Sequence, residues 1–530
     1  MRKLLEYPYR ILWALWPGLL CTLSLHAADG PVVHIESGQL QGQSLSQGGA
    51  SFLAIPYAAA PVGTLRWRDP RPVAHWSGVR DATHYAGACA QAPAGWNESL
   101  LATASEDCLY LNVWTPKFDG AARLPVMVWI HGGAFSGGSS TDPVFSGERF
   151  AIKGVVLVSL NYRLGVFGFL AHPELSKTSG HASSGNFGLL DQIAALKWVH
   201  RNIGRFGGDA SSITVFGQSA GGMSVTALLA SPRGHGLLDR AIVESGAIIT
   251  PMRMQTLADA EAMGQRFAGD LDMAALRRLS AKQLLQRWQQ LARPQLGVNL
   301  GPIVDHYVLA EDPADVFAKH GEQPIALIIG NNAREGFMPL SDADLPRALQ
   351  DFYGEQASAA LKLYDAQPGE SHAADPVLGT PAAQWVTDSA FRCAAVITAA
   401  RHAASGAPVY EYQFEQSLPG REAQGAAHSY EIPYVFANLS DQGPLGAPFS
   451  QADHALSDLM ISYWSNFAKR GDPNASGLPQ WPRFELQARR YLRLATAFAD
   501  DALAAQGLRK DACGLYEGRV DELRDHADRR

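Results

Sequence analysis

The segment Phe216-Gly217-Gln218-Ser219-Ala220-Gly221-Gly222 carries the sharpest chemical signal in the chain. It follows the apolar run Ile213-Thr214-Val215-Phe216 and opens a helix-forming stretch, Gly221 to Leu229. A G-x-S-x-G pentapeptide between a strand and a helix makes a tight turn that lifts the serine hydroxyl off the end of a sheet. Side chains at 217 and 221 would collide with neighbouring elements, so both positions call for glycine. Ser219 therefore reads as a nucleophile; outside a strand–turn–helix setting the same pentapeptide is an ordinary glycine-rich turn. A serine hydroxyl attacks a carbonyl only when a base takes its proton and donors receive the oxyanion. His131-Gly132-Gly133-Ala134-Phe135 supplies candidate donors, because consecutive glycines after a buried strand can turn their N–H groups toward a substrate oxygen. With the N–H of Ala220, those of Gly132 and Gly133 make a three-donor hole. His131, at the strand end, reads as structural rather than as the base.

When a serine is presented this way, the acid and the base follow it along the chain. Glu335, in Gly330-Asn331-Asn332-Ala333-Arg334-Glu335-Gly336, leaves a buried strand and is the acid candidate. Taken alone, an Arg-Glu-Gly loop is a solvated turn. The base candidate is His428, in Ala427-His428-Ser429-Tyr430-Glu431-Ile432-Pro433-Tyr434. With 16 histidines in the chain, composition does not select it.

The elements that must position these residues are legible as uninterrupted apolar runs. Pro125 to Ile130 ends at His131, Val155 to Leu160 ends at Asn161, and Ile213 to Phe216 ends at the serine turn. Ala241-Ile242-Val243 and Ala326 to Ile329 are further examples. Runs without alternation suit strands buried on both faces. Helical patterns such as Leu189 to Ile203 lie between them. The fold class is therefore α/β, a mainly parallel central sheet flanked by helices. Two stretches, about 250–320 and 341–405, break the strand rhythm with helical spacing and read as helical cap insertions beside the sheet's carboxyl edge.

Of 530 residues 47% are hydrophobic, enough to exclude a disordered or fibrous chain. Forty-four Lys plus Arg against 51 Asp plus Glu leave a net charge of −7, which argues against a nucleic-acid partner. Residues 1–28 have the layout of a secretory signal peptide: Arg2, Lys3 and Arg10, then the apolar run Ile11 to Leu25, then small residues. That run is shorter than the roughly 20 residues of a membrane span and holds Pro17-Gly18, so no span is expected in the mature chain. A retained N-terminal anchor is the alternative. The expected organisation is a leader at 1–28 and a single domain at 29–530, secreted or periplasmic. Removing the leader leaves Cys89, Cys108, Cys393 and Cys513. Four cysteines in an exported chain suggest two disulfides with three possible pairings, of which local loop closure favours Cys89–Cys108; four buried free thiols are the alternative. No CxxC or His/Cys cluster suggests a metal, and no cofactor is expected.

Several blocks occur together in order: Glu106-Asp107-Cys108-Leu109-Tyr110-Leu111-Asn112-Val113, the His-Gly-Gly-Ala-Phe segment, and Asn161-Tyr162-Arg163. Gly185-Asn186-Phe187-Gly188-Leu189-Leu190-Asp191-Gln192 and Phe206-Gly207-Gly208-Asp209 then lead to the serine turn. In these the chain resembles the type-B carboxylesterase and cholinesterase family over about residues 30–520. The resemblance implies an α/β-hydrolase fold and a Ser219, Glu335 and His428 triad. It also implies an oxyanion hole of Gly132, Gly133 and Ala220, and disulfides Cys89–Cys108 and Cys393–Cys513. Ser245 matches a serine the family keeps near the triad, a candidate supporting hydrogen-bond donor. Gln218 stands where cholinesterase-like members carry a glutamate, which disfavours a quaternary ammonium substrate. Trp96 lies near the position of a tryptophan in those enzymes but at a different spacing from Cys108, and reads as a packing or rim residue. The implied activity is hydrolysis of small-molecule carboxylic esters through an acyl-enzyme. A lipase, an amidase, a specialised ester-detoxifying hydrolase or a non-catalytic binding protein are the alternatives.

Overall fold

Val126-Met127-Val128-Trp129-Ile130 alternates in direction but not in polarity. Val126, Val128 and Ile130 enter the core on one face of the central sheet, Met127 and Trp129 the core on the other. Both faces are dry, which is why such strands read as continuous apolar runs. The computed structural model describes residues 30–291, 300–336, 339–367, 373–440, 446–496 and 503–528; the expected leader, residues 1–28, lies outside them.

In chain order the described strands are β1 (Val32–Ile35), β2 (Gly38–Gln41), β3 (Gln43–Ser44), β4 (Ala50–Pro56), β5 (Val79–Asp81), β6 (Tyr110–Thr115), β7 (Leu124–Ile130), β8 (Val156–Leu160), β9 (Gly208–Gln218), β10 (Arg240–Glu244), β11 (Ala326–Asn332), β12 (Val409–Phe414), β13 (Arg490–Leu494) and β14 (Ala504–Gln506). β1, β2 and β5 form a small sheet of their own. The central sheet runs in the order β14-β13-β12-β11-β10-β9-β7-β8-β6-β4-β3. From β8 through β7 and β9 to β13 every neighbouring pair is parallel, while β6, β4, β3 and β14 extend the edges antiparallel. Helices Phe187–Asn202, Ala220–Ala230 and Cys393–Ala404 cover one face, and Gln451–Arg470 packs Leu456, Met460, Trp464 and Phe467 against the other.

Register sets the site. Ile130 pairs with Gly217, Gln218 with Glu244, and Glu244 with Gly330. β7, β9 and β10 thus end within a residue of one another and β11 runs two residues further, so the segments after all four emerge side by side at the sheet's carboxyl edge, where open α/β sheets bind ligands. Several motif residues are structural. Arg163 forms a bidentate pair with Asp191, both bonds 2.7 Å and both groups buried, tying the segment after β8 to the helix Phe187–Asn202.

The two stretches with helical spacing do hold helices, among them Leu257–Ala268, Ala281–Leu291, Leu345–Tyr353 and Pro381–Thr387. Disulfides join Cys89 to Cys108 and Cys393 to Cys513. No helix among the described residues is long and apolar enough to cross a membrane.

Candidate active site

β9 delivers Ser219 at its carboxyl end, and the helix Ala220–Ala230 starts immediately after it. Ser219 has φ 55° and ψ −124°, a conformation that a side chain adopts only when its surroundings impose it. Here the Ser219 N–H donates to the Glu244 carbonyl of β10 at 2.9 Å. The two flanking glycines are dictated by close approach: a Cβ on Gly221 would lie 2.0 Å from the Ile130 carbonyl oxygen, and one on Gly217 2.5 Å from the Gly221 carbonyl carbon.

The loop after β7 folds over this turn. A Cβ on Gly132 would meet the Gln218 carbonyl oxygen at 2.7 Å and the Ser219 Cβ at 3.1 Å, so only bare backbone fits there. Gly133 has φ 110°, in the region open to glycine. Gly132 and Gly133 line a cavity of about 520 Å³ together with Ser219, Gln218 and His428. Ala220 sits beneath, buried at the helix start. His131 lies buried against the loop, its Nδ1 2.8 Å from the Gly132 carbonyl and its ring stacked on Tyr162. Burial pushes its pKa down to about 4, so it stays neutral and supports the loop.

Glu335 and His428 come from distant segments and meet in direct contact. Nδ1 of His428 lies 2.7 Å from Glu335 Oε2, and its backbone N–H donates to the Glu335 carbonyl at 3.2 Å. The other carboxylate oxygen, Oε1, accepts from the Ser245 hydroxyl at 2.7 Å and the Asn332 N–H at 2.8 Å. Glu335 is buried, and its own N–H donates to Thr387 Oγ1 at 3.1 Å. This clamp engages Nδ1 of the ring and leaves Nε2 to other partners. Gln218 Nε2 lies 3.2 Å from it, and the Phe391 ring packs on the imidazole at 4.8 Å. Burial lowers the basicity of His428, but the hydrogen bond and charge of Glu335, with the charge of Glu431, outweigh it, so the pKa is raised from 6.5.

Two further acids belong to this region, and neither was singled out in the sequence. Glu431, three residues after His428, is fully buried, and burial together with the Glu335 charge pushes it up to about 7. Glu244, directly before Ser245, accepts from Trp464 Nε1 at 2.7 Å, and burial raises it well above the ordinary carboxylate range. Glu244 closes the apolar strand run Arg240–Glu244, a signal that could have found it, whereas nothing in the sequence around Glu431 marks it as buried.

The rest of the cavity wall is apolar or neutral: Leu100, Val144, Phe145, Ile432 and Pro433, with Asp142 as the one carboxylate and no lysine or arginine among the described lining residues. Trp96 lies in the lining, 58% exposed, with its ring over Gly133 and Gly137. No group of three His, Cys, Asp or Glu among the described residues could hold a metal. The arrangement offers a hydroxyl, an oriented imidazole, a buried carboxylate and backbone donors, the parts required for acyl transfer.

Comparison with known proteins agrees with this chemistry. The profile of the carboxylesterase family matches residues 29–515. The chain is similar to the fumonisin B1 esterase of Sphingopyxis macrogoltabida, with 39% identity over 495 residues, 90% of this chain and 89% of that protein. It is 36% identical to the para-nitrobenzyl esterase of Bacillus subtilis (strain 168), over 87% of this chain and 94% of that one. Among solved structures, a thermophilic PNB esterase superposes with a TM-score of 0.78 at 33% identity, covering 92% of this chain and 99% of its own.

Proposed function

The chain belongs to the carboxylesterase family and is a carboxylic ester hydrolase, and from that premise we propose that Ser219, His428 and Glu335 carry the reaction. Ser219 Oγ attacks the ester carbonyl while His428 Nε2 takes its proton. The N–H groups of Gly132, Gly133 and Ala220 receive the negative oxygen of the tetrahedral intermediate. Collapse of that intermediate expels the alcohol, which leaves with the proton from His428. Water, deprotonated in turn by His428, then attacks the acyl-Ser219 carbonyl and releases the acid. Glu335 keeps the proton of the neutral ring on Nδ1 and stabilises the imidazolium once it forms. Ser245 positions Glu335.

One observation carries this reading. The two oxygens of Glu335 are divided, with Ser245 and Asn332 on one and His428 Nδ1 on the other, which engages the imidazole through Nδ1 in a residue that lines the same cavity as Ser219.

The lining supports uncharged carboxylic esters as the substrate class. Gln218 adds no negative charge beside the reacting centre, so choline esters are poor substrates. A panel of p-nitrophenyl acetate, butyrate and laurate with butyrylthiocholine tests this. Efficient turnover of the short aryl esters with weak thiocholine hydrolysis is expected; thiocholine turnover equal to that of p-nitrophenyl butyrate would contradict it, and a strong preference for laurate would favour a lipase. The same reading takes residues 29–530 as one domain exported behind the leader at 1–28, secreted or periplasmic. Two disulfides support an oxidising compartment.

A further inference from the structure

We propose that Gln218 is a positioning residue for ester hydrolysis, its side-chain amide holding Nε2 of His428 in both proton states of the ring. The inference rests on the assignment of Ser219, His428 and Glu335 above. Gln218 is the last residue of β9, buried, with its amide nitrogen 3.2 Å from His428 Nε2. On its other side Gln218 Oε1 borders the loop after β7, where a Cβ on Gly132 would lie 3.0 Å from it and glycine leaves room.

The chemistry follows from the Glu335 clamp. Glu335 Oε2 accepts the Nδ1 proton, so the neutral ring exposes a lone pair at Nε2. An amide NH₂ is a donor and meets it. When Ser219 gives up its proton, Nε2 becomes a donor, and the amide must present its carbonyl instead. Rotation about the terminal torsion of a glutamine does this, because that torsion is broad and nearly two-fold. The Ser219 hydroxyl needs the same lone pair, so the amide yields as the proton moves and re-engages through its oxygen. A glutamate at 218 has acceptors only and would serve the imidazolium alone.

Among the described residues, several groups face the ring. Glu335 comes from the loop after β11, Gln218 from β9 and the Phe391 ring from the segment after the helix Pro381–Thr387. Glu431 acts on it from its own segment, with Glu244 and Tyr412 coupled to Glu431 behind. Two carboxylates already favour the protonated ring; a neutral residue at 218 keeps a third from favouring it further.

The test compares the pH dependence of kcat/KM for p-nitrophenyl acetate in the unaltered enzyme, Gln218→Glu and Gln218→Leu. Gln218→Glu should move the midpoint of the acid limb upward by about one pH unit, the lower end of the effect of an opposite charge within hydrogen-bonding distance. Gln218→Leu should lower kcat by roughly tenfold with KM within about twofold, because the imidazolium formed on proton transfer loses the acceptor that the amide oxygen supplies. A residue that only fills space would leave kcat of Gln218→Leu within twofold of the parent, because leucine occupies a similar volume. An unmoved limb in folded Gln218→Glu overturns the proposal. If that variant does not fold, Gln218→Leu with kcat within twofold of the parent overturns it. Failure of a fluorophosphonate probe to label Ser219 in the unaltered enzyme would instead overturn the triad assignment; labelling with an unmoved limb removes the role of Gln218 alone.

Discussion

Replacing Glu335 by glutamine changes one atom and should all but abolish turnover, for a reason visible in the hydrogen bonds. The Asn332 N–H can only donate, and it is directed at Oε1, which also receives the Ser245 hydroxyl. In Glu335→Gln the amide oxygen must therefore stay on that side. The reverse orientation would set NH₂ against N–H and leave a buried donor unmade, at about 1–3 kcal/mol. The NH₂ group then takes the place of Oε2 and donates to His428 Nδ1. The imidazole is driven into the tautomer with its proton on Nε2, the nitrogen that must accept from Ser219. A histidine held in the wrong tautomer by an amide costs on the order of 10⁴ in kcat, about 5 kcal/mol of barrier. The assay is steady-state hydrolysis of p-nitrophenyl butyrate at pH 8, with Tm measured on the same samples. A folded Glu335→Gln retaining a tenth of the parental kcat would refute both the tautomer argument and the role of Glu335.

The remaining expectations concern pH and stability. The rate should fall about tenfold per pH unit below an acid limb lying above 6.5, because Glu335 and Glu431 outweigh burial at His428 and only the neutral ring can accept a proton; a midpoint at or below 6 in kcat/KM would contradict this, and the measured value belongs to the coupled group. The sign reverses for folding: the raised pKa of His428 stabilises the protein below pH 6.5, and that contribution is lost as pH rises through the folded value. The double variant Cys393→Ser, Cys513→Ser opens a loop of 120 residues and should lose up to about 5 kcal/mol in urea unfolding; an unchanged midpoint would show that the bridge does not restrain the unfolded chain. Gly221→Ala would put a Cβ 2.0 Å from the Ile130 carbonyl oxygen, so a destabilisation of at least about 2 kcal/mol is expected from overpacking; a native Tm would contradict the packing at the serine turn.

The parts of the molecule legible in its sequence are those fixed by local backbone demands. The serine turn needs glycine at 217 and 221 because carbonyls of β7 and of the turn itself occupy the space, and that demand shows in five consecutive residues. The parallel strands β7, β8, β10 and β11 show because both their faces are dry. β12 was not singled out: Val409–Phe414 carries Glu411 and Gln413, which break the apolar run, yet every residue in it is buried. Gln413 is accommodated there by Arg392, which donates to its side-chain oxygen at 3.0 Å. Glu335 and His428 present a different difficulty. Nothing near Glu335 marks it as an acid, and nothing separates His428 from 15 other histidines until long-range pairing brings the two together; only the ordered family blocks pointed to them. Glu431 and Glu244 were missed because their importance lies in burial, which depends on what packs over them.

The most direct test of the account is reaction of the folded enzyme with a fluorophosphonate probe, followed by peptide mapping, in the parent and in His428→Ala. A single adduct on Ser219 that forms rapidly in the parent and at least about 10³-fold more slowly without the imidazole is the predicted result. An adduct on another residue, or equal labelling of Ser219 with and without His428, would contradict it.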